Sequence, residues 1–160
     1  MVAPDDFRRV LGHFATGVTI LTTTDTEARP TGLTVSAFCS VSLDPPQILV
    51  CVDHKSQSYP AMRDSGRFAV NVLTSDQEAA SRRFASTRLD KFDEVAFTLG
   101  DLGVPLIDGA LAQLECATVS AYIEGDHTIF VGRVERAHVG SGEPLLYFRG
   151  RYQRIPGTSQ

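Results

Sequence analysis

Between residues 17 and 53 the chain passes through three stretches rich in β-branched residues, GVTILTTT, TGLTVSAFCSVSL and QILVCVD, separated by DTEARPT and by Asp44-Pro45-Pro46. Val, Ile and Thr carry two heavy atoms on Cβ and fit a pleated surface better than a helix, while successive prolines offer no N–H to a ladder. These stretches predict successive strands folded as an antiparallel meander. RFAVNVL predicts another, and the last third returns to the pattern in ALAQLECATVSAYIEG, DHTIFVGRVERAHVG and EPLLYFRGRYQRI, with Gly125-Asp126 and GSGE as turns. About six or seven strands with few helices predict a mainly β fold, a small antiparallel barrel, because closure removes the edges of a short all-β chain.

Helical signals are sparse. Asp5 or Asp6 can cap a first helix that places Phe7, Val10, Leu11 and Phe14 on one face, expected to be buried, with Gly17 as its end. SYPAMRDSG predicts a helical turn, and SDQEAASRRFA a helix with a capping box, Ser75 as N-cap and Glu78 three positions on. Residues 86–109, punctuated by Gly100, Gly103 and Pro105, predict a long excursion over the barrel surface. With no internal repeat, linker or low-complexity tract, a single domain over residues 1–160 is expected.

Charge and cysteine usage narrow the setting. The net charge of -4 lacks the basic excess that nucleic-acid binding needs, so no nucleic-acid partner is expected. Cys39, Cys51 and Cys116 are odd in number, lie in apolar strand-like runs and show no CxxC spacing, so they are expected to be reduced and packed, in the cytoplasm. No basic-then-apolar leader opens the sequence, and its longest apolar runs are about seven residues. A membrane helix needs roughly 18 to 20, so no membrane association is expected.

The common catalytic motifs are missing: HExxH, Gly-x-Ser-x-Gly, GxxxxGK[ST] and GxGxxG. His13, His54, His127 and His138 lack partners at i+2 or i+4, so no metal site is expected. What stands out is a density of hydroxyls where strands end, Thr31, Thr34, Ser36, Ser40 and Ser42, then Ser56 and Ser58 beside Lys55. Such residues let a backbone approach a ligand closely and donate hydrogen bonds to phosphate or ring heteroatoms; they equally fill polar strand faces and turns.

Six segments, in order and with compatible spacing, carry a resemblance over nearly the whole chain: DFRRVLGHFATGVTILTT, GLTVSAFCSVSLDPPQILVCVD, SGRFAVNVL, RRFA with DKF, GDHTIFVGRV and PLLYFRGRY. They resemble the flavin reductase-like family with the FMN-binding split barrel, the small reductase components of two-component flavin-dependent monooxygenases. The resemblance implies a six-stranded antiparallel Greek-key split barrel with a few peripheral helices. It also implies a homodimer with flavin in a groove near the subunit interface. NADH or NADPH would reduce FMN or FAD by hydride transfer to N5, and the reduced flavin would reach a partner monooxygenase by diffusion or transient contact. The absence of an acid, base or nucleophile then has a reason, since the isoalloxazine carries the hard chemistry and the protein supplies position and polarity.

By the same resemblance Thr34, Val35, Ser36, Ala37, Phe38, Cys39 and Ser40 line the flavin. Ser36-Ala37 stands where the family often has Asn-Ser, which leaves the choice of FMN or FAD open. Cys51, Val52 and Asp53 resemble the wall over the ring, Lys55, Ser56 and Ser58 the phosphate-side loop, and Arg83, Phe84 and Ala85 the helix end that meets the phosphates. Arg151 and Tyr152 are implied to cover the ring or meet the nicotinamide nucleotide. Read as one strand, YFRGRYQRI would put Tyr147, Arg149 and Arg151 on one face and Phe148, Gly150 and Tyr152 on the other. His127, after Gly125-Asp126, is implied at the nicotinamide side as the positioner of the hydride donor, the one catalytic candidate. Read locally it is only the first residue after a hairpin turn.

Two further functions stay open on the residues. One is a flavin-holding oxidase or electron carrier resembling the pyridoxamine phosphate oxidases of the same fold. The other is a non-enzymatic barrel such as an oligonucleotide-binding module, against which the negative charge and the absence of Trp both argue.

Overall fold

The β-branched runs form strands in the computed structural model, which describes residues 1–155. Helix α1 (Pro4–Leu11) precedes β1 (Thr16–Gly17), β2 (Thr19–Thr24), β3 (Pro30–Val35), β4 (Phe38–Leu43) and β5 (Pro46–Asp53). Helix α2 (Tyr59–Asp64), β6 (Arg67–Val72) and helix α3 (Glu78–Phe84) follow. Then come a small hairpin of β7 (Phe97–Leu99) and β8 (Pro105–Ile107), a long one of β9 (Ala112–Glu124) and β10 (His127–Val139), and the short β11 (Leu146–Phe148) and β12 (Arg151–Gln153).

The main sheet is antiparallel and has seven strands rather than six, in the order β3-β2-β6-β9-β10-β5-β4. The expected meander is broken. β2 pairs with β3 and β4 with β5, but the chain turns at the exposed Ser36 and Ala37, so β3 and β4 stand at opposite ends of the sheet. Leu33 and Val35 of β3 nonetheless pack in the same apolar cluster as Ile48, Val50 and Val52 of β5, together with Leu21, Phe68, Val70 and Phe130. The sheet therefore curls so that both ends reach one core. Fully burying side chains of this size stabilises by about 1.5 to 3 kcal/mol each.

β2 is buried along its whole length because it has a core on each face. Leu21 belongs to the first cluster, and Ile20 joins a second with Val18, Leu73, Phe84, Ile107 and Leu145. The buried threonines beside them keep their hydroxyls paired: Thr23 donates to Arg67 O at 2.7 Å, and Thr22 to Pro105 O. Asn71 meets all its hydrogen-bonding capacity inside the protein. Its Nδ2 donates to Ile20 O and Thr22 Oγ1 at 3.1 Å each, and its Oδ1 accepts from Ile107 N–H at 2.8 Å and Gln113 Nε2 at 3.3 Å. Buried polar groups paired in this way fix β8 against the sheet without a desolvation penalty.

Several local expectations need correction. Helix α1 starts with Pro4 at its first position after Ala3, and Asp5 and Asp6 pair with Arg8 and Arg9 instead of capping. It ends at Leu11 with Gly12 as C-cap, while Gly17 lies in β1. Phe7, Val10, Leu11 and Phe14 are exposed, because within the described chain nothing covers that face. The capping box sits one residue early. Thr74, still extended, is the N-cap of a short 3-10 turn over Ser75–Gln77, and its N–H donates to Gln77 Oε1 at 3.1 Å. YFRGRYQRI is a hairpin and not one strand: Arg149 and Gly150 take φ 50 and 75, so Tyr147 and Tyr152 come opposite each other with ring centres 5.3 Å apart. The three cysteines are free, but Cys39 is exposed and not packed. Burial pushes the Cys116 thiol up to about 12. Among the described residues no helix is long and apolar enough to cross a membrane.

Candidate functional site

One wall of the site is the end of α3 seated on β3, and Gly32 permits that seat. A Cβ at Gly32 would stand 2.6 Å from Leu21 O and 2.9 Å from Phe84 Cε1. Without it the Phe84 ring lies against the strand, and Phe92 packs edge-on to Phe84 at 4.9 Å between ring centres. Thr34 Oγ1 donates to Ser81 O at 2.6 Å, a second tie between β3 and α3. Ala85, Ser86 and Thr87 then leave the helix along the groove.

The loop after β5 makes the opposite wall. The Asp53 carboxylate accepts from Lys55 N–H at 2.8 Å, the Asx turn that this residue type favours, and Ser56 N–H donates to Asp53 O at 3.0 Å. His54 Nε2 and Tyr59 Oη both lie 3.0 Å from the buried Thr128 Oγ1, and His54 N–H donates to Asp126 O at 3.0 Å. These bonds tie the loop to β10 and to the turn before it. Ser58 donates to Gly32 O at 2.8 Å and accepts from Thr31 at 2.9 Å, joining the loop to β3.

Between the walls lies a cavity of about 320 Å³. Leu33 and Phe84 give it apolar surface; Thr34, Asp53, Lys55, Ser56, Gln57, Ser86, Thr87 and Lys91 give it polar surface. That mixture of flat apolar contact, hydroxyls and two ammonium groups suits a ligand with a planar apolar part and a phosphate. Among the described residues no group of three His, Cys, Asp or Glu stands ready for a metal ion.

Six of the residues singled out in the sequence converge on this cavity: Thr34, Asp53, Lys55, Ser56, Phe84 and Ala85. Ser36, Ala37, Phe38, Cys39 and Ser40 continue from Thr34 through the turn into β4, and Cys51 precedes Asp53 on β5. Val35 and Val52 bury their side chains in the core, and the Ser58 hydroxyl is taken by Gly32 and Thr31.

Arg83 does not line this cavity. Its guanidinium donates to Lys91 O and Asp90 O at 2.9 Å each and to Glu94 at 2.5 Å, so three of its five N–H groups are engaged within the chain. Tyr152 is engaged within the chain as well. Its hydroxyl lies 2.7 Å from Ser81 Oγ, Arg82 stacks on its ring at 4.7 Å, and it packs against the second core cluster. Arg151 is exposed beside it, and neither lines the cavity.

His127 pairs with Asp53 across the β5–β10 ladder, which sets it beside the loop wall. Gly125, at φ 61, makes the tight turn before it. His127 Nδ1 lies 2.7 Å from Asp126 Oδ1, and among the described residues Nε2 has no hydrogen bond. The imidazole holds the Asp126 carboxyl below the usual carboxylate range.

Leu33, Gln57, Ser86, Thr87 and Lys91 line the cavity and were not singled out in the sequence. Ser86 and Thr87 directly follow SRRFA, so the hydroxyl rule applied to strand ends would have found them. Lys91 lies in DKF, which carries the resemblance but was given no role at the site.

Comparison with known proteins gives a concordant answer. Residues 11–156 match the model of the flavin reductase like domain. The FMN reductase (NADH) SmoA of Agrobacterium fabrum is 45% identical over 150 residues, covering 93% of this chain and 84% of that protein. The flavin-dependent monooxygenase reductase subunit HsaB of Rhodococcus jostii is 41% identical, covering 96% of this chain and 79% of that one. Among solved structures, the NADH:FAD oxidoreductase SgcE6 of Streptomyces globisporus, in complex with NAD and FAD fragments, superposes with a TM-score of 0.91 at 42% identity, covering 100% of this chain and 99% of that one.

Proposed function

Because the chain belongs to the flavin reductase-like family, we propose that the cavity beside β3 is its flavin groove and that His127 meets the hydride donor. The protein is an NAD(P)H-dependent flavin reductase that reduces FMN or FAD and supplies reduced flavin to a monooxygenase. The observation that carries the siting is the convergence on one cavity of Thr34 from β3, Asp53 from the end of β5, Lys55 and Ser56 from the loop after it, and Phe84 and Ala85 from the end of α3.

Bound flavin supplies a hydride-accepting N5, and the chain itself does the positioning. Leu33 and Phe84 offer the apolar surface for a flat ring. Thr34 to Ser40 bring backbone amides and hydroxyls along one edge, and Lys55 and Ser56 bring charge and a hydroxyl to the phosphate end. With Nδ1–H donated to Asp126, His127 keeps Nε2 as an acceptor for the carboxamide N–H of the nicotinamide. Holding donor and acceptor rings at near-attack distance, roughly 3 to 3.5 Å, is then the main service of the site. NADH turnover that appears only with free flavin supports this reading. A persistently yellow protein without nicotinamide turnover would favour the flavin-holding oxidase.

The curled sheet, with β3 and β5 sharing one core, supports a split barrel formed as one domain. The exposed Phe7, Val10, Leu11 and Phe14, with Tyr122 and Ile123 near the tip of the long hairpin, support a homodimer that covers them. Light scattering is expected to give about twice the 17.4 kDa chain mass; a monomer mass would contradict the dimer. The free thiols fit a cytoplasmic setting, where cysteines stay reduced.

A further inference from the structure

His54 stands between two residues of the cavity wall without lining the cavity itself: Asp53 and Lys55 border it and His54 does not. Its ring goes to Thr128 instead. Thr128 follows His127 on β10, pairs with Val52 in the ladder, faces inward like Phe130 and is only 2% exposed. Valine would fill such a position without a partner, whereas a buried hydroxyl costs free energy unless it is bonded. Both partners here come from the segment that follows β5: His54 Nε2 and Tyr59 Oη each lie 3.0 Å from Thr128 Oγ1. A hydroxyl has one proton, so the three groups form a directed chain in which one end donates to Thr128 and the other accepts from it. The His54 and Tyr59 rings meet at 4.8 Å between centres, and Tyr59 packs against the first core cluster. The imidazole therefore has a fixed place. The His54 N–H donates to Asp126 O at 3.0 Å, in the turn that leads to His127.

We propose that His54 is a positioning residue of the reaction: with its ring on Thr128 and its N–H on Asp126 O, it holds the loop of Lys55 and Ser56 and the turn of His127 in one fixed relation. This rests on the cavity being the flavin groove and on His127 meeting the hydride donor. The loop places the flavin and the turn places the nicotinamide, so the two rings keep near-attack distance only while loop and turn move as one body. His54 touches neither ring and acts through its neighbours. If the His54–Thr128 bond served stability alone, its loss would lower the melting temperature and leave the kinetics of the folded protein unchanged.

Steady-state kinetics on the purified protein, with NADH and FMN varied in turn, compare wild type with Thr128→Val, His54→Leu, their double variant and His54→Gln. Thr128→Val keeps the shape of the strand and removes only the hydroxyl. It is expected to lower kcat/KM about fivefold for FMN and for NADH alike, the effect of one neutral hydrogen bond. His54→Leu should do the same, and the double variant should fall no further than Thr128→Val alone, because the second change deletes a bond already lost. His54→Gln, whose amide reaches about as far as Nε2, should stay within about twofold of wild type. A loss confined to one substrate, a double variant about 25-fold down, or a glutamine variant as poor as the leucine one overturns the proposal. Should Thr128→Val fail to fold, His54→Leu against His54→Gln decides, by equal loss on both substrates and by its rescue. Wild-type turnover with kinetically unchanged variants would remove the role of His54 and leave the flavin reductase reading standing. A wild type that oxidises no NADH with any flavin sinks both.

Discussion

Replacing Gly32 with valine is expected to lower stability by about 3 kcal/mol, the upper part of the usual range for overpacking, and to remove most flavin-dependent turnover. The first added carbon already stands 2.6 Å from Leu21 O, a backbone atom held in the β2–β3 ladder, and 2.9 Å from the Phe84 ring. Valine adds two methyls to that contact. Either the ladder opens at Thr22–Gly32 or α3 lifts from β3. The loss is functional as well as structural, because Phe84 and Ala85 line the cavity while Gly32 O accepts from Ser58 and Lys91. Urea unfolding and steady-state turnover on the same preparation check this. Gly32→Ala should show the same two effects at smaller size. Stability within about 0.5 kcal/mol of wild type for the valine variant would mean that α3 is not seated as described.

Replacing His127 with alanine is expected to raise KM for NADH roughly 30-fold and that for flavin far less. The estimate combines one hydrogen bond and one ring contact, together about 2 kcal/mol. With Nδ1 donating to Asp126, a neutral imidazole keeps Nε2 as an acceptor, and the register pairs His127 with Asp53, which lines the cavity although His127 itself does not. Asp126→Asn should reproduce part of the effect, because an amide holds that tautomer less firmly than a carboxylate. Equal changes in both KM values, or none, would return His127 to the role of a residue that merely follows a turn.

Most strands were legible because β-branched runs and alternation are local, but TGLTVSAFCSVSL and YFRGRYQRI each hide a turn and form two strands. The long hairpin around Gly125-Asp126 was read almost to the residue. What failed depends on partners distant in sequence. The apolar stripe of Phe7, Val10, Leu11 and Phe14 reads as a buried face, but all four are exposed within the described chain, so burial within the chain was the wrong reading. Thr74 and Ser75 are both good caps, and only the extended backbone of Thr74 decides between them. The helix-end cation was expected to be Arg83, but Asp90 O, Lys91 O and Glu94 hold three of its five N–H groups, and no spacing rule reveals that loop folding back. Lys91 shows the converse: given no role in the sequence, it lines the cavity once the fold closes Gly32 and Phe84 around it.

On the proposed siting, this chain moves hydride from a nicotinamide nucleotide to flavin in the groove between β3, the loop after β5 and the end of α3. Steady-state oxidation of NADH and of NADPH, each with FMN, FAD and riboflavin in turn, tests it most directly. The prediction is turnover that requires added flavin and is faster at limiting concentration with a phosphorylated flavin than with riboflavin. No oxidation above the protein-free rate with any of the six pairs would contradict it.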